Sequence, residues 1–327
     1  MLLTRTPFRV SFLGGGSDIP WFYQEYGGGA VLSTAIDRHM YISGHALFDS
    51  DDVLVKYSKT ERVGRPQDLK HPIAREVLTR AGIKGIDISV TADIPAGTGL
   101  GSSSAFTVGL INLTRTYKSL EASPETLAAE ACKVELEYLE EPIGKQDQYA
   151  SAFGGLNLIR FGVDGSVEVE PIGLDVQAFD WLGRAIVLVR LDQQTRSASS
   201  VLQGQKAASH LDTKVSSALA DAREIAIAGA RTIASDVTKL GELVKASWEL
   251  KKLSHPTSGL EAADQLVSHG LKHGALGGKL LGAGGGGFVM FIVDPSRKRA
   301  LIESLGRVAF IEPGIEMIGS TIVYRKA

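Results

Sequence analysis

The chain of 327 residues has a single cysteine, Cys132, so no disulfide can close within it and a reducing compartment fits best. It has no excess of either charge: 35 basic side chains face 37 acidic ones, leaving a formal −2. Such a balance provides no electrostatic footprint for nucleic acid or for an anionic membrane. No apolar run reaches the ~18 residues of a membrane span, and the opening MLLTRTPFRVSFLGGG lacks a basic stretch followed by a long apolar one. His39, His45, His71 and His255 show no paired metal-ligand spacing, and no Walker A pattern occurs. The expectation is a cytoplasmic protein with neither nucleic-acid nor membrane partner, its oligomeric state left open. Its length suits one large domain or two average ones.

What the chain has in quantity is glycine, 37 residues, and they cluster: FLGGGSD at 12–18, IPAGTGLGSSSA at 94–105 and LLGAGGGGF at 280–288. Phe8, Val10 and Phe12 alternate with polar residues before the first cluster, a strand pattern of period two. Ile86, Ile88, Val90, Ala92 and Ile94 do the same before the second. SSSAFTVGLINLTRTYKSL after it predicts a mostly buried helix. FVMFIVD after the third cluster predicts a central strand, and AIVLVRLD (185–192) and STIVYRK (320–326) predict two more. Ser123 is a fitting N-cap, with Pro124 at the first helical position and Pro142 as a stop. Residues 200–273 read as mainly helical. Trp21, Phe22 and Tyr23 read as core first, and as a substrate or nucleotide wall second. Mixed strands and helices make the protein α/β or α+β, with a weakly marked boundary near residue 175.

Gly282, Gly284 and Gly287 satisfy the spacing G-x-G-x-x-G of dinucleotide-binding loops. That fingerprint needs a strand before it, a helix opening from it, and an acid about 20 residues on. Here a helical segment is expected before the glycines and a strand after them. Asp294 comes too early, and Glu303 and Glu312 fall in helix or loop context. The dinucleotide reading therefore fails on context. The second cluster has the required order of strand, glycine turn and helix. Backbone N–H groups of Gly97, Thr98, Gly99, Leu100 and Gly101, with those of Ser102, Ser103 and Ser104, would form an anion cradle. The competing reading is a glycine turn with an ordinary serine cap; the density of GTGLGSSSA favours phosphate binding.

On a helical wheel over 127–141, Leu127, Ala128, Ala131, Cys132, Val134, Leu136, Tyr138 and Leu139 share one arc, and Glu135 falls inside it. An acid there must be neutral, hydrogen-bonded or facing a cation. It is either a buried acid satisfied by an arginine or a magnesium ligand serving a phosphate cradle. Asp147 in GKQDQYASAFGG is either a helix N-cap or the base for a substrate hydroxyl.

TPFRVSFLGGGSD, PAGTGLGSSSA and GAGGGGFVMF, in that order, resemble the three motifs of the GHMP-superfamily kinases, with a sugar-kinase-like GKQDQ between the second and third. The resemblance spans essentially the whole chain. Within that group the sequence is most similar to bacterial D-glycero-D-manno-heptose 7-phosphate kinases, through RTPFRVSFLGGGSDIP, GKQDQYASAFGGLN, QQTRSASSVL and GALGGKLLGAGGGGFVMF. It implies a two-domain α+β fold, an S5-like N-terminal half (1–175) and a ferredoxin-like C-terminal half (176–327) with the active site between them. It also implies ATP and Mg²⁺, and phosphorylation of the anomeric hydroxyl of a sugar phosphate on the route to nucleotide-activated heptose and lipopolysaccharide. By the same resemblance Asp147 faces the attacking hydroxyl, Arg9 accompanies it, and Ser103 and Glu135 hold magnesium. Gly15, Gly16, Ser17 and Asp18 would meet the sugar. Gly15 and Gly16 stand where galactokinases carry Glu-His, which argues against galactose and leaves L-fucokinases as the nearest competitor. Gly284 and Gly285 would lie beside the transferring phosphate. Arg196 is the first candidate for the 7-phosphate or else an exposed arginine; Lys145 and Lys206 are weaker candidates. A non-catalytic sugar sensor is the reading from another class.

Overall fold

The computed structural model describes residues 1–191, 213–254, 260–284 and 286–325. Arg196, Lys206, His255 and Gly285 lie outside them. The strands are β1 (Leu2–Leu13), β2 (Gly29–Ala46), β3 (Val53–Lys56), β4 (Thr60–Val63), β5 (Ile86–Ala92), β6 (Leu156–Phe161), β7 (Val167–Pro171), β8 (Ile186–Leu191), β9 (Ala275–Leu280), β10 (Gly287–Val293), β11 (Phe310–Ile311) and β12 (Thr321–Arg325). The described helices are α1 (Pro20–Glu25), α2 (Pro72–Ala81), α3 (Ser102–Tyr117), α4 (Pro124–Cys132), α5 (Gln146–Phe153), α6 (Val176–Ala185), α7 (Thr213–Ser235), α8 (Leu240–Ser254), α9 (Glu261–Lys272) and α10 (Lys298–Ser304). None is long and apolar enough to cross a membrane.

Two sheets organise the chain as α+β. In the eight-stranded sheet β2 is the spine, 18 residues long. Its first half pairs β6, its second half β5, and its other edge β1, all antiparallel. The four-stranded sheet has the order β11-β8-β10-β9, which makes the apolar β10 central as its sequence predicts. The last strand, β12, crosses back to pair with β1 in the larger sheet, so a cut at residue 175 divides the two sheets except for this return. Helix α3 lies on β1 and β2 and is buried from Ser104 to Thr114. Its N-terminus is thereby fixed at the end of the glycine turn that follows β5. Trp21, Phe22 and Tyr23 are buried, in keeping with core packing.

Two local expectations change. The residues before the third glycine cluster form strand β9, not a helix. A side chain at Gly277 would sit 2.0 Å from the carbonyl oxygen of Gly241, because α8 passes directly over the strand. The glycines that blur the strand signal are what admits the helix. The cluster is then a β9–β10 hairpin loop, and no helix opens from it.

The helix begun by Pro124, capped by Ser123 Oγ accepting from the Thr126 N–H (3.3 Å), widens into a π-helical turn over Lys133–Tyr138. The wheel assumes 100° per residue, so the wider turn shifts its phase. Tyr138 swings out of the apolar arc to 41% exposure, with the Arg80 guanidinium 3.3 Å from its ring centroid. Glu135 stays buried.

Candidate active site

Between the two sheets lies a cavity of about 1090 Å³, walled by the end of β1, the loop after it, the 93–104 turn, the start of α5, and α8 with the β9–β10 loop. Its centre is a charged fork. Arg9 Nε donates to Asp147 Oδ1 and its second terminal nitrogen to Oδ2, both at 2.7 Å. The remaining terminal nitrogen donates to the Gly99 carbonyl, also at 2.7 Å. Arg9 is 3% exposed, so the guanidinium plane is set by its strand and cannot wander. Asp147 sits in the first turn of α5, after the N-cap Lys145, so the capping alternative for it does not apply. Its carboxylate lies over the junction of the glycine turn with α3, where a Cβ on Gly101 would come within 3.2 Å of Oδ2.

The turn and the hairpin loop interlock. Phe288 N–H donates to the Thr98 carbonyl (3.3 Å), and a Cβ on Gly282 would stand 2.6 Å from the Gly99 Cα. At the start of α3 the first N–H groups have no intrahelical partner, and no side chain caps them. Among the described residues this is the opening through which an anion would meet aligned backbone dipoles.

Glu135, 1% exposed, is reached by Ser103 Oγ donating to Oε1 and Gln148 Nε2 donating to Oε2, each at 2.7 Å. The arginine alternative is replaced by a serine and a glutamine. Burial is the main force raising its pKa; these hydrogen bonds counter it and the Asp147 charge adds to it. Asp18 accepts from the Gly16 N–H (3.0 Å) and from Gln146 through backbone and side chain (3.2 Å each). Burial first, then the charge on Asp147, raise its pKa as well. The far end of the cavity is less polar: Tyr57, His71, Ile73 and Phe106 line it, with the His71 ring 4.9 Å from Phe106 and 4.8 Å from Tyr57. Burial lowers the His71 pKa, favouring the neutral ring there.

This arrangement can hold an anion on backbone amides and place an acceptor oxygen at a fixed carboxylate. Two family models match: the GHMP kinases N terminal domain over residues 69–155 and the GHMP kinases C terminal over residues 226–309, together more than half of the chain. The chain belongs to the GHMP kinases.

It is therefore a phosphotransferase. It is similar to the D-glycero-alpha-D-manno-heptose 7-phosphate kinase of Campylobacter jejuni subsp. jejuni serotype O:2, 29% identical over 318 residues and 92% of either chain. The galactokinase of Pyrococcus furiosus is 24% identical over 94% of this chain and 93% of its own. Among solved structures, a D-glycero-D-manno-heptose 1-phosphate kinase from Bacteriodes thetaiotaomicron shares the fold at a TM-score of 0.80, with 23% identity and full coverage of both chains.

In this GHMP kinase the cavity brings together most of the residues singled out in the sequence. Arg9, Asp147, Ser103 and Glu135 line it; so do Gly15, Gly16 and Asp18 of the first motif, and Gly97, Gly99, Gly101, Ser102 and Ser104 of the second. Thr98 and Leu100 do not: Thr98 turns its hydroxyl to the Pro95 carbonyl, and Leu100 is core. In the third motif Gly282, Ala283 and Gly286 line the wall in place of Gly284.

Ser17, expected to meet substrate, is fully buried instead. Its Oγ lies 2.8 and 2.9 Å from the Gly14 and Ala30 carbonyls and accepts from the Ala30 N–H at 3.1 Å, pinning the loop to β2. Ser17→Ala should cost about 1–3 kcal/mol of stability by leaving those groups unpaired. Acceptor KM should stay near wild type at a temperature where the variant is folded. A large KM change without loss of melting temperature would return Ser17 to the substrate site.

The sequence reading missed Lys251 and Lys279, which line the wall from α8 and β9, and Ser11 and Gln146 beside Asp18. Ser11 Oγ and Gln146 Oε1 are buried without a hydrogen-bond partner among the described residues. Adjacency to the motifs could have flagged Ser11 and Gln146. The same holds for Lys279, three residues before Gly282; Lys251 carries no local signal.

Proposed function

We propose that this kinase transfers the γ-phosphoryl group of ATP to the anomeric hydroxyl of D-glycero-D-manno-heptose 7-phosphate, giving the 1,7-bisphosphate for nucleotide-activated heptose and surface polysaccharide. The observation that carries this reading is the Arg9–Asp147 fork, held between the glycine turn at 97–101 and the Gly15–Gly16 loop. The similarity to the Campylobacter heptose 7-phosphate kinase supports the choice of sugar. The nucleotide base would sit at the apolar end, against His71 and Phe106, with its phosphates on the 97–104 amides.

Asp147 would orient the acceptor oxygen and take up its proton as the O–P bond forms and the bond from the γ-phosphorus to the bridging oxygen of ADP breaks. Arg9 holds both oxygens of Asp147, so the carboxylate presents one fixed geometry rather than a rotating one. Asp18, Gln146 and Ser11 offer carboxyl, amide and hydroxyl groups to sugar hydroxyls. One carboxylate and one hydroxyl, Glu135 and Ser103, form a hard-oxygen set of the kind that fits Mg²⁺ alongside substrate phosphates. When bound there, the ion would supply charge neutralisation of the phosphates. Glu135→Gln should raise the magnesium concentration needed for half-maximal rate, because the amide can still accept from Gln148 and donate to a turned Ser103 hydroxyl but loses the charge. An unchanged magnesium curve would leave Glu135 a structural acid.

The test is ADP release, coupled to a reporter, across phosphorylated and free sugars. Turnover of heptose 7-phosphate is expected, with the product's new phosphate at C1. Turnover of free L-fucose but not heptose 7-phosphate would move the assignment to a fucokinase. No turnover of any sugar would overturn the kinase assignment on sugars altogether.

A further inference from the structure

Two lysines sit in the cavity wall where the proposed transfer gives them no task. Lys279 on β9 is 4% exposed, and its Nζ donates to the Phe12 carbonyl (3.0 Å) and to Ser247 Oγ (3.4 Å). Lys251 on α8 donates through Nζ to the carbonyls of Leu280 (2.8 Å) and Gly282 (2.5 Å). Ser247 and Lys251 are four residues apart on one face of α8, so helix and strand converge on the same spot. Phe12 belongs to the strand that carries Arg9. Gly282 abuts Gly99, whose carbonyl receives Arg9.

Three cationic side chains thus gather at one end of the cavity. Arg9 is matched by Asp147. Among the described residues no carboxylate lies within ion-pair distance of Lys279; its partners are a carbonyl and a hydroxyl, which carry no compensating charge. Burial, with the neighbouring Arg9 charge, pushes the Lys279 pKa down to about 7. Burial and the charges on Lys279 and Arg9 push Lys251 well below its usual value. Among the described residues Lys279 is thus a buried cation with no compensating carboxylate, and an anion arriving beside Lys279 and Lys251 would relieve it.

We propose that Lys251 and Lys279 form a seat for a phosphoryl dianion. This rests on the kinase reading above and deepens it. The chemistry has two sources in the reaction: the γ-phosphoryl group of the nucleotide and the phosphate already carried by the acceptor. The sequence offered Arg196 for the second; the lysine pair supplies a site within the described residues.

The full chain and its Lys251→Met, Lys279→Met and Lys279→Arg variants are titrated with tripolyphosphate by calorimetry and thermal shift. The methionine variants are expected to bind roughly ten- to hundredfold more weakly than wild type. Removing a buried cation favours the ligand-free fold, while the Phe12, Leu280 and Gly282 carbonyls lose a donor, so affinity at a temperature where the variants are folded is the deciding readout. A purely structural pair would leave that affinity at the wild-type value.

The pH profile provides a second readout. Lys279 is charged below its pKa and neutral above it, so wild-type affinity should fall as pH rises through about 7. Lys251, from α8, loses charge in the same direction; the other charged groups facing them are Arg9, from β1, and its partner Asp147, from α5. Lys279→Arg should flatten that fall, and it serves as the reference that cancels ionisation of the probe.

Selective loss of a non-hydrolysable ATP analogue over ADP assigns the seat to the γ-phosphoryl group. A KM rise for phosphorylated but not free sugars assigns it to the acceptor. Methionine variants that bind tripolyphosphate, the analogue and the acceptor as wild type does overturn the proposal. If those variants do not fold, a wild-type affinity with the same pH profile as Lys279→Arg overturns it. Should no sugar be turned over, the kinase assignment on sugars falls, while the tripolyphosphate arm still decides the seat.

Discussion

Asp147→Asn is expected to lower kcat by about two to four orders of magnitude while ATP affinity changes only a few-fold. Both oxygens of Asp147 accept from Arg9, and an asparagine can offer only one acceptor to that fork. Its amide N–H₂ would face a guanidinium N–H, so the side chain either turns or pushes the arginine away. Proton uptake from the acceptor hydroxyl is lost in either case. The contacts proposed for the nucleotide come from the 97–104 backbone, and Arg9 keeps its bond to Gly99, so nucleotide binding should survive. Removing the charge also removes one of the influences that raise the Asp18 pKa, which should shift downward although burial remains its larger cause. Single-turnover rates and equilibrium ATP titration measure the two effects separately. Wild-type kcat would remove Asp147 from its role, and a parallel loss of ATP binding would show instead that the loop had moved.

The parts of this site legible in the sequence are those where chemistry and local pattern coincide. The glycine turn at 97–101 is flanked by an alternating strand and an apolar helix, so its context could be checked within 35 residues. Glu135 could be found because one acid among apolar neighbours is anomalous wherever the helix points. The same wheel misplaced Tyr138, since nothing in KVELEY announces the π-helical turn that Glu135 occupies. β9 does not show as a strand in the sequence because Gly277 answers to a neighbour, Gly241, which lies 36 positions away. The place of Ser17 in a motif points it to substrate, yet its hydroxyl closes the loop from behind. Motif position says which loop a residue belongs to, not which way it faces. Lys251 and Lys279 are hidden for a related reason: a lysine is usually a solvated one, and only the packing of α8 on β9 turns these two inward.

Buried ionisable groups in the cavity also share a direction. Asp18 and Glu135 are drawn toward their neutral forms, and so are Lys251 and Lys279. In each case the main cause is loss of water, which disfavours charge of either sign. Substrate phosphates and a divalent cation would each restore charge to the group of opposite sign. The free site is therefore less stable than an apolar one of the same shape, and its ligands should stabilise the fold markedly.

Gly99→Ala is expected to lower ATP affinity about ten- to hundredfold, the effect of misaligning one backbone hydrogen bond to a charged phosphate oxygen. Gly99 has φ +80°, and an added Cβ would lie 2.8 Å from the Leu281 carbonyl oxygen and 3.2 Å from Gly282 N. Those are backbone atoms of the facing loop, which is itself held by Lys251 and by the Phe288–Thr98 bond, so neither side can yield cheaply. Relief must come from the 97–101 turn, and it would carry the anion-binding amides and the Gly99 carbonyl under Arg9 out of place. The left-handed conformation alone costs about 1 kcal/mol with alanine. Gly82→Ala isolates that part: its φ is +62° and nothing lies within 4 Å of the added carbon. It should lose a similar increment of stability with ATP affinity intact. If Gly99→Ala matched Gly82→Ala in both measurements, the interlock of the two loops would not matter for the nucleotide. If only Gly99→Ala loses affinity, the glycines of GAGGGGF serve a phosphate indirectly, by leaving room for the turn that binds it.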